Sequence, residues 1–263
     1  MPPFLQFDFR RTPVTLIIAG VALALEVVCT FDEPRRLYYL NDLRLAIWWQ
    51  IWDGELWRPA TTTLLHGNLL HALFNISWLL VFGQAIERWL GPLRTLGLYV
   101  LLAYTSMVPD YVWTEQTAVG LSGVLYGLVG FCWIGRGTRD DLAEVCTPAV
   151  MQLMLAWLLF CVVTTHFDLM PVANMAHVAG LVFGLLYGLA VFGPWRRAFQ
   201  AAAAAATLAV LSLLYAAPWH EHYQYVQRLH RQRQLEREGV RLIPWPMKAP
   251  AGAAEDNRQP DKN

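Results

Sequence analysis

The sequence predicts an all-α polytopic membrane protein, and two observations support this fold class. The first is composition, since 56% of the 263 residues are hydrophobic and only 15% are charged, with a mean hydropathy of +0.34. Soluble domains carry roughly a quarter charged residues. The second is the length of the apolar runs, several of which approach or reach the ~20 residues that cross a bilayer as a helix. Lipid-exposed backbone must satisfy its hydrogen bonds internally, so such runs indicate helices.

Seven apolar runs form candidate spans, at residues 13–31, 64–82, 95–109, 121–135, 147–165, 173–193 and 199–217. The first run is too long, and too poorly flanked by small residues, for a cleaved signal peptide. The first six define a membrane core over residues 13–193. The last run, within residues 194–217, is alanine-rich but long enough to span. The four cysteines show no CxxC spacing, so we interpret them as small core residues and not as a disulfide or zinc framework.

The distribution of arginines predicts the orientation of the spans. Arginines precede span one and follow spans two, four and six, whereas loops 110–120 and 166–172 contain no Lys or Arg. The positive-inside rule therefore predicts a cytoplasmic N-terminus (residues 1–12) and an outside-to-inside direction for spans two, four and six. Loop 32–63 is rich in tryptophan and is expected to lie in the outer interface, although an ordinary aromatic belt explains its tryptophans equally well.

The C-terminal segment, residues 218–263, differs in kind from the apolar core. Its first half is a candidate polar helix, and its Pro-rich end is typical of disorder. Glutamates interleave with its basic residues. This mixture favours a solvated helix over a nucleic-acid-binding segment, so we expect no nucleic-acid partner.

Four strongly polar side chains lie near the outer ends of spans two, four and six: His71, Asn75, Ser122 and His177. Polar groups at membrane depth are costly, and each is by default a candidate functional residue. All three spans are expected to enter from the same side. At 1.5 Å rise per residue, the four side chains then lie at one shallow depth, roughly 10 Å or less.

Glycines on spans four and six predict close packing of these two helices. They recur at about four-residue intervals, as Gly123, Gly127 and Gly130 on span four and Gly180, Gly184 and Gly188 on span six. Small residues at this spacing let two helix backbones approach closely. Such packing would bring the Ser122 hydroxyl within hydrogen-bond reach of His177, and a serine beside a histidine base is the minimal activated nucleophile.

Each of these residues also has a plainer interpretation. A membrane serine usually bonds a carbonyl of its own helix, and His177 could be a satisfied core histidine or a proton relay. His66 and His71 are five residues apart, which would turn them to different helix faces, and HExxH is absent, so no zinc site is expected. The GxSxG elbow is also absent, because Val124 replaces its last glycine. The functional interpretation depends on the occurrence of these residues together at one depth.

The chain resembles the rhomboid intramembrane serine proteases. The likeness covers roughly residues 13–193, and its main motifs are GxSG at Gly120 to Gly123, HxxxxHxxxN at His66, His71 and Asn75, and AHxxGxxxG at Ala176, His177, Gly180 and Gly184. The WR pair at Trp57-Arg58 and the GxxxE pattern from Gly83 to Glu87 also match. One departure is Thr62, where relatives often have histidine; we expect this position to be peripheral to the chemistry.

The resemblance implies a rhomboid-like six-helix core, to which a seventh helix is added in some members. It also implies a Ser122–His177 dyad without an aspartate. The residues implied around the dyad are the Ser122 amide, His71 and Asn75 as oxyanion donors, Gly120 and Leu121 in support, Tyr126 against the His177 ring, and Asn174 at the rim. No cofactor or metal is required.

The implied substrates are single-span membrane proteins, locally unwound near the outer face and cut beside small side chains. A location in the bacterial inner membrane is implied as well. Two rival functions stay open: a rhomboid-like protein that binds membrane clients without cutting them, and a small transporter. The first rival typically lacks the serine or histidine. The second predicts more charge at depth and an inverted repeat, and the sequence contains neither.

Overall fold

The computed structural model describes residues 8–31, 45, 51, 54–114 and 116–216. Within these ranges the secondary structure is helical, with no strand. The predictions for the extreme N-terminus, for most of the tryptophan-rich loop and for the tail from residue 218 lie outside the described residues. All side-chain contacts below belong to the compact unit that ends at Leu213.

The described helices follow the predicted apolar runs, with short helices between some of them. They are α1 (Pro13–Phe31), α2 (Arg58–Thr61), α3 (Leu69–Leu90), α4 (Pro92–Thr114), α5 (Ser122–Gly135), α6 (Asp140–Val145), α7 (Pro148–His166), α8 (Asn174–Phe192) and α9 (Arg196–Ala216). Four helices, α1, α3, α7 and α8, are long and apolar enough to cross a membrane, and α5 is a shorter apolar helix of 14 residues. The chain is a polytopic all-α membrane protein.

The start of the second span differs from the sequence prediction. Helix α3 begins at Leu69 and not at residue 64, because the Asn68 side chain accepts a hydrogen bond from the His71 amide at 2.9 Å and caps the helix there. Residues Thr62–Leu64 form a separate 3₁₀ turn, and Leu65 is extended. An N-cap of this kind fixes where a helix begins but leaves no trace in hydropathy.

The end of the third span also differs from the prediction. Helix α4 runs through Pro109 to Thr114, whereas the apolar run suggested an end at residue 109. A proline inside a helix removes one backbone hydrogen bond without necessarily ending the helix. Asp110, assigned to a loop from the sequence, therefore lies in α4, where it is only 2% exposed.

The predicted glycine contact between spans four and six is confirmed in the packing of α5 against α8. A Cβ atom on Gly180 would collide with the Gly123 carbonyl oxygen, and one on Gly184 would collide with the Gly127 carbonyl oxygen. A Cβ on Gly130 would lie 2.7 Å from the Leu181 carbonyl oxygen. The two helices therefore meet backbone to backbone.

Two further contacts hold helices α1 and α9 against their neighbours. Both Glu87 carboxylate oxygens, at the C-terminal end of α3, accept amide hydrogens at 2.8 Å from Val14 and Thr15 in the first turn of α1. Helix α9 covers the predicted seventh run, and Thr207 on it shares a 2.8 Å hydrogen bond with Tyr187 of α8. That α9 crosses the membrane remains a prediction.

Candidate active site

The Ser122 hydroxyl and the His177 ring lie in direct contact. Ser122 is the first residue of α5 and His177 the fourth of α8, and Ser122 Oγ is 2.7 Å from His177 Nε2. The side chain of His177 is buried, while Ser122 is half-buried. The glycine contact between α5 and α8 creates this proximity, since bulkier residues would separate the two backbones.

The His177 ring is held by packing. The Tyr126 ring lies with its centroid 4.9 Å away, tilted by 37°, and its hydroxyl donates to the Met154 carbonyl of α7 at 2.9 Å. The other ring nitrogen, His177 Nδ1, is buried and has no hydrogen-bond partner in the described part of the chain. No described carboxylate therefore orients this ring through Nδ1, in contrast to a Ser-His-Asp triad.

Gly120 allows two polar side chains of α3 to approach the turn that leads into Ser122. Its φ of +119° is a conformation that other residues rarely adopt. A Cβ atom at this position would lie 3.1 Å from His71 Nε2 and 3.4 Å from Asn75 Nδ2. A glycine is therefore required here both for the backbone conformation and for the approach of His71 and Asn75.

Asn75 carries an unused donor at this position. Its side chain is 2% exposed, and Nδ2 has no hydrogen-bond partner within the ranges that the structure describes. Leaving a buried donor unsatisfied costs about 1–3 kcal/mol. Such a cost is typical of a group held ready for a ligand or for charge that develops during a reaction.

His66 contacts the same turn from the other side. Its Nε2 accepts a hydrogen bond from the Leu121 amide at 3.4 Å, and its ring packs edge-on against His71 with centroids 5.1 Å apart. The expectation that His66 and His71 face different sides of a helix is wrong, because His66 precedes the capped start of α3. Among the described residues, no group of three or more His, Cys, Asp or Glu side chains could hold a metal ion.

Thr62 lies closer to the site than the sequence suggested. Its hydroxyl donates to the Ala118 carbonyl at 2.6 Å, and its carbonyl accepts from the Gly120 amide at 3.4 Å. Thr62 therefore holds the loop that leads into Ser122. Asn174, expected at the rim, is the half-buried first residue of α8 and lies one turn before His177.

Sequence reasoning missed Asp110 as a residue near the site. Its Oδ1 accepts a hydrogen bond at 3.1 Å from the amide of Ala176, the residue before His177. An ionisable residue inside an apolar run is the signal that could have revealed it. Ending span three at residue 109 placed this carboxylate in a loop and removed that signal.

Fold and site together define a polytopic helical membrane protein with a serine–histidine pair where the N-terminal ends of α5 and α8 meet. Comparison with known proteins agrees, because the family model described as Rhomboid domain matches residues 53–194. The chain belongs to the rhomboid family.

Named relatives extend this match. The Rhomboid protease GlpG of Haemophilus influenzae is 35% identical over 184 residues, which cover 70% of this chain and 93% of that protein. The proteins of the same name from Pectobacterium atrosepticum and Serratia proteamaculans are each 34% identical. With these two, the match covers 67% of this chain but only 62% of the relative's length.

Proposed function

We propose that this protein cleaves transmembrane protein substrates with Ser122 as nucleophile and His177 as general base. Its family and its similarity to named rhomboid proteases make it a rhomboid-type serine endopeptidase. The observation that supports the residue assignment is the 2.7 Å contact between Ser122 Oγ and His177 Nε2. A nucleophile within hydrogen-bond reach of its base is the geometry that covalent catalysis requires.

In the proposed reaction, His177 acts first as a base and then as an acid. Nε2 takes the Ser122 proton as Oγ attacks the scissile carbonyl carbon, and the same proton passes to the leaving amine as the C–N bond breaks. Water then attacks the acyl-enzyme while His177 takes its proton, and His177 returns that proton to Ser122 Oγ as the ester C–O bond breaks and the acid product leaves. The neutral ring must carry its proton on Nδ1 so that Nε2 can accept.

Three donors stabilise the oxyanion in this proposal. Ser122 is the first residue of α5, so its amide has no acceptor within the helix and lies at the positive end of the helix dipole. Asn75 Nδ2 is buried without a partner in the described ranges, and His71 Nε2 lies on the same side of Gly120. Donors that meet a full negative charge only in the transition state raise kcat more than they lower KM.

The arginine distribution supports a site that opens to the outer side, with a cytoplasmic N-terminus. The N-terminal ends of α3, α5 and α8 carry the site residues, and these are the ends expected to face outward. A helical substrate hides its carbonyls in its own hydrogen bonds, so its cleavage region must unwind before Ser122 can reach one. Substrates with helix-weakening residues near their outer ends fit this requirement.

A serine-directed fluorophosphonate tests the proposal on the purified full chain in detergent. We expect the probe to label the native protein and to leave Ser122→Ala unlabelled. Persistent labelling of Ser122→Ala at the native rate would overturn the assignment of the nucleophile. A native protein that neither reacts with the probe nor cuts a transmembrane substrate would instead favour a client-binding role.

A further inference from the structure

Helix α8, which carries His177, begins without a capping side chain of its own. Its N-cap residue is Ala173, whose methyl group cannot accept a hydrogen bond. The first amides of a helix lack acceptors inside the helix, and a polar N-cap side chain usually bonds the second or third of them. Helices α3 and α7 follow this rule, because Asn68 and Thr147 each accept from the third amide of their helix.

In α8 the same amide bonds a side chain from another helix. The third residue is Ala176, and its amide donates to Asp110 Oδ1 of α4 at 3.1 Å. Asp110 is 2% exposed and lies beside a small buried cluster that includes Met107, Tyr111 and Ala176. A carboxylate is also favourable at this point because the N-terminus of a helix carries partial positive charge.

The same helix α4 contacts the chain next to each member of the serine–histidine pair. Asp110 bonds Ala176, the residue before His177, and Ser106 packs against Gly123, the residue after Ser122. A Cβ atom on Gly123 would lie only 2.9 Å from Ser106 Oγ. Helix α4 therefore contacts both helix starts that carry the dyad.

We propose that Asp110 is a positioning residue that caps α8 from α4 and thereby fixes His177 against Ser122; the inference rests on the proposed dyad. The His177 ring makes no hydrogen bond through Nδ1 to any described residue, so its position depends on packing and on the backbone that carries it. Ser-His-Asp triads place a carboxylate on the ring itself. Here the Asp110 carboxylate accepts a hydrogen bond from the backbone amide of Ala176, one residue before His177.

Two substitutions at this position separate hydrogen bonding from other effects. Asp110→Leu keeps the branched shape of the side chain but removes the acceptor, and we expect kcat to fall by about tenfold to a hundredfold because a small misplacement of reacting groups has costs of that order. KM should stay unchanged, because Asp110 is buried and so shielded from a bound substrate. Asp110→Asn keeps an oxygen acceptor and should restore near-native kcat.

Tyr187→Phe provides the matched control on the same helix. It removes the hydrogen bond between Tyr187 and Thr207, which lies farther along α8, away from His177. We expect a lower melting temperature with native kcat. If Asp110→Leu lost activity only in proportion to its loss of thermal stability, as a destabilised helix would, the positioning role would be wrong.

Amide hydrogen exchange at Ala176 tests the cap without relying on activity. Exchange should be faster in Asp110→Leu and native-like in Asp110→Asn, both measured on the full chain in detergent. Native exchange or native kcat in Asp110→Leu would overturn the inference, and so would an Asp110→Asn variant as slow as Asp110→Leu. Failure of the dyad itself appears separately, as proteolysis that persists in Ser122→Ala.

Discussion

Helix α3 carries buried polar groups towards both of its ends, and two of them, Glu87 and Asn75, differ in their hydrogen bonding. At the C-terminal end, both carboxylate oxygens of Glu87 accept amide hydrogens at 2.8 Å. At the N-terminal end, Asn75 Nδ2 and, across the site, His177 Nδ1 are buried with no hydrogen-bond partner among the residues described. Gln84 Nε2, one turn before Glu87, is also buried without a partner in the described ranges, so the difference lies between Glu87 and Asn75 and not between whole helix ends. Most buried polar groups in proteins are satisfied, so the unused Asn75 donor close to Ser122 supports the oxyanion role proposed above.

The largest effect should follow removal of the dyad. Ser122→Ala and His177→Ala should each lower the rate of cleavage of a model transmembrane substrate by roughly 10⁶-fold, as expected when a nucleophile and its base act as a unit. Melting temperatures should change little. The double variant should be no slower than either single variant; clear proteolysis by Ser122→Ala would point to another nucleophile.

Loss of the unused donor should have the next largest effect. Asn75→Ala should reduce kcat by roughly 10²–10³-fold, about 3–4 kcal/mol, with little change in KM, if the donor meets the developing oxyanion. Stability should change little, because Nδ2 makes no hydrogen bond to a described residue in the native structure. His71→Ala should behave similarly, with more destabilisation because a ring leaves a larger hole.

A purely structural Asn75 would show the opposite pattern. Interhelical hydrogen bonds in membranes contribute about 1–2 kcal/mol at most. Measuring kcat and melting temperature on one Asn75→Ala preparation distinguishes the two roles. A lowered melting temperature with native kcat would remove Asn75 from the proposed oxyanion site.

Glu87, whose two carboxylate oxygens both accept hydrogen bonds, should respond in stability alone. Glu87→Gln keeps one acceptor oxygen for the amide of Val14 or Thr15 but presents an NH₂ group to the other amide. The amide that is left without an acceptor costs about 1–3 kcal/mol. The free energy of unfolding should fall by that amount, while kcat per folded molecule stays native. A large fall in kcat at unchanged stability would show that Glu87 and Asn75 do not differ as proposed.

The smallest effect is expected at Thr62. Thr62→Val preserves shape but removes the hydrogen bond to the Ala118 carbonyl, which should lower the free energy of unfolding by about 1 kcal/mol. Because this bond holds the loop before Ser122, kcat should fall as well. Thr164→Val, which removes a bond within α7, is the matched control. Equal kcat in both variants would mean that Thr62 has no influence on the site.

Hydropathy and motif spacing were sufficient to predict most of the helices, though not all of their ends, and the close contact between α5 and α8. The apolar runs define most of the helices, and the glycines on α5 and α8 recur at a spacing that favours a close backbone approach. These features could be predicted because each is local to one segment or one helix face. The roles of individual site residues still depend on the experiments above.

Contacts between distant segments could not be predicted in this way. The Asn68 cap moves the start of α3 and with it the position of His66, although nothing in the apolar pattern marks that residue. Asp110 and Ala176 are 66 residues apart, so their hydrogen bond exists only once α4 and α8 have packed. The sequence shows that a carboxylate is present there but not which amide it will meet.

The length of α5 has a consequence for the supply of water to the reaction. Its 14 residues extend about 21 Å, roughly 9 Å less than the hydrocarbon core of a typical bilayer. Most of its residues are buried against neighbouring helices, so α5 itself has little surface left for lipid. If α5 crosses the bilayer as predicted, irregular backbone before Ser122 or after Gly135 must complete the crossing. Such backbone is tolerated at membrane depth only where it is buried in protein or lines a water-filled cavity, and such a cavity beside Ser122 would supply the water for the proposed reaction.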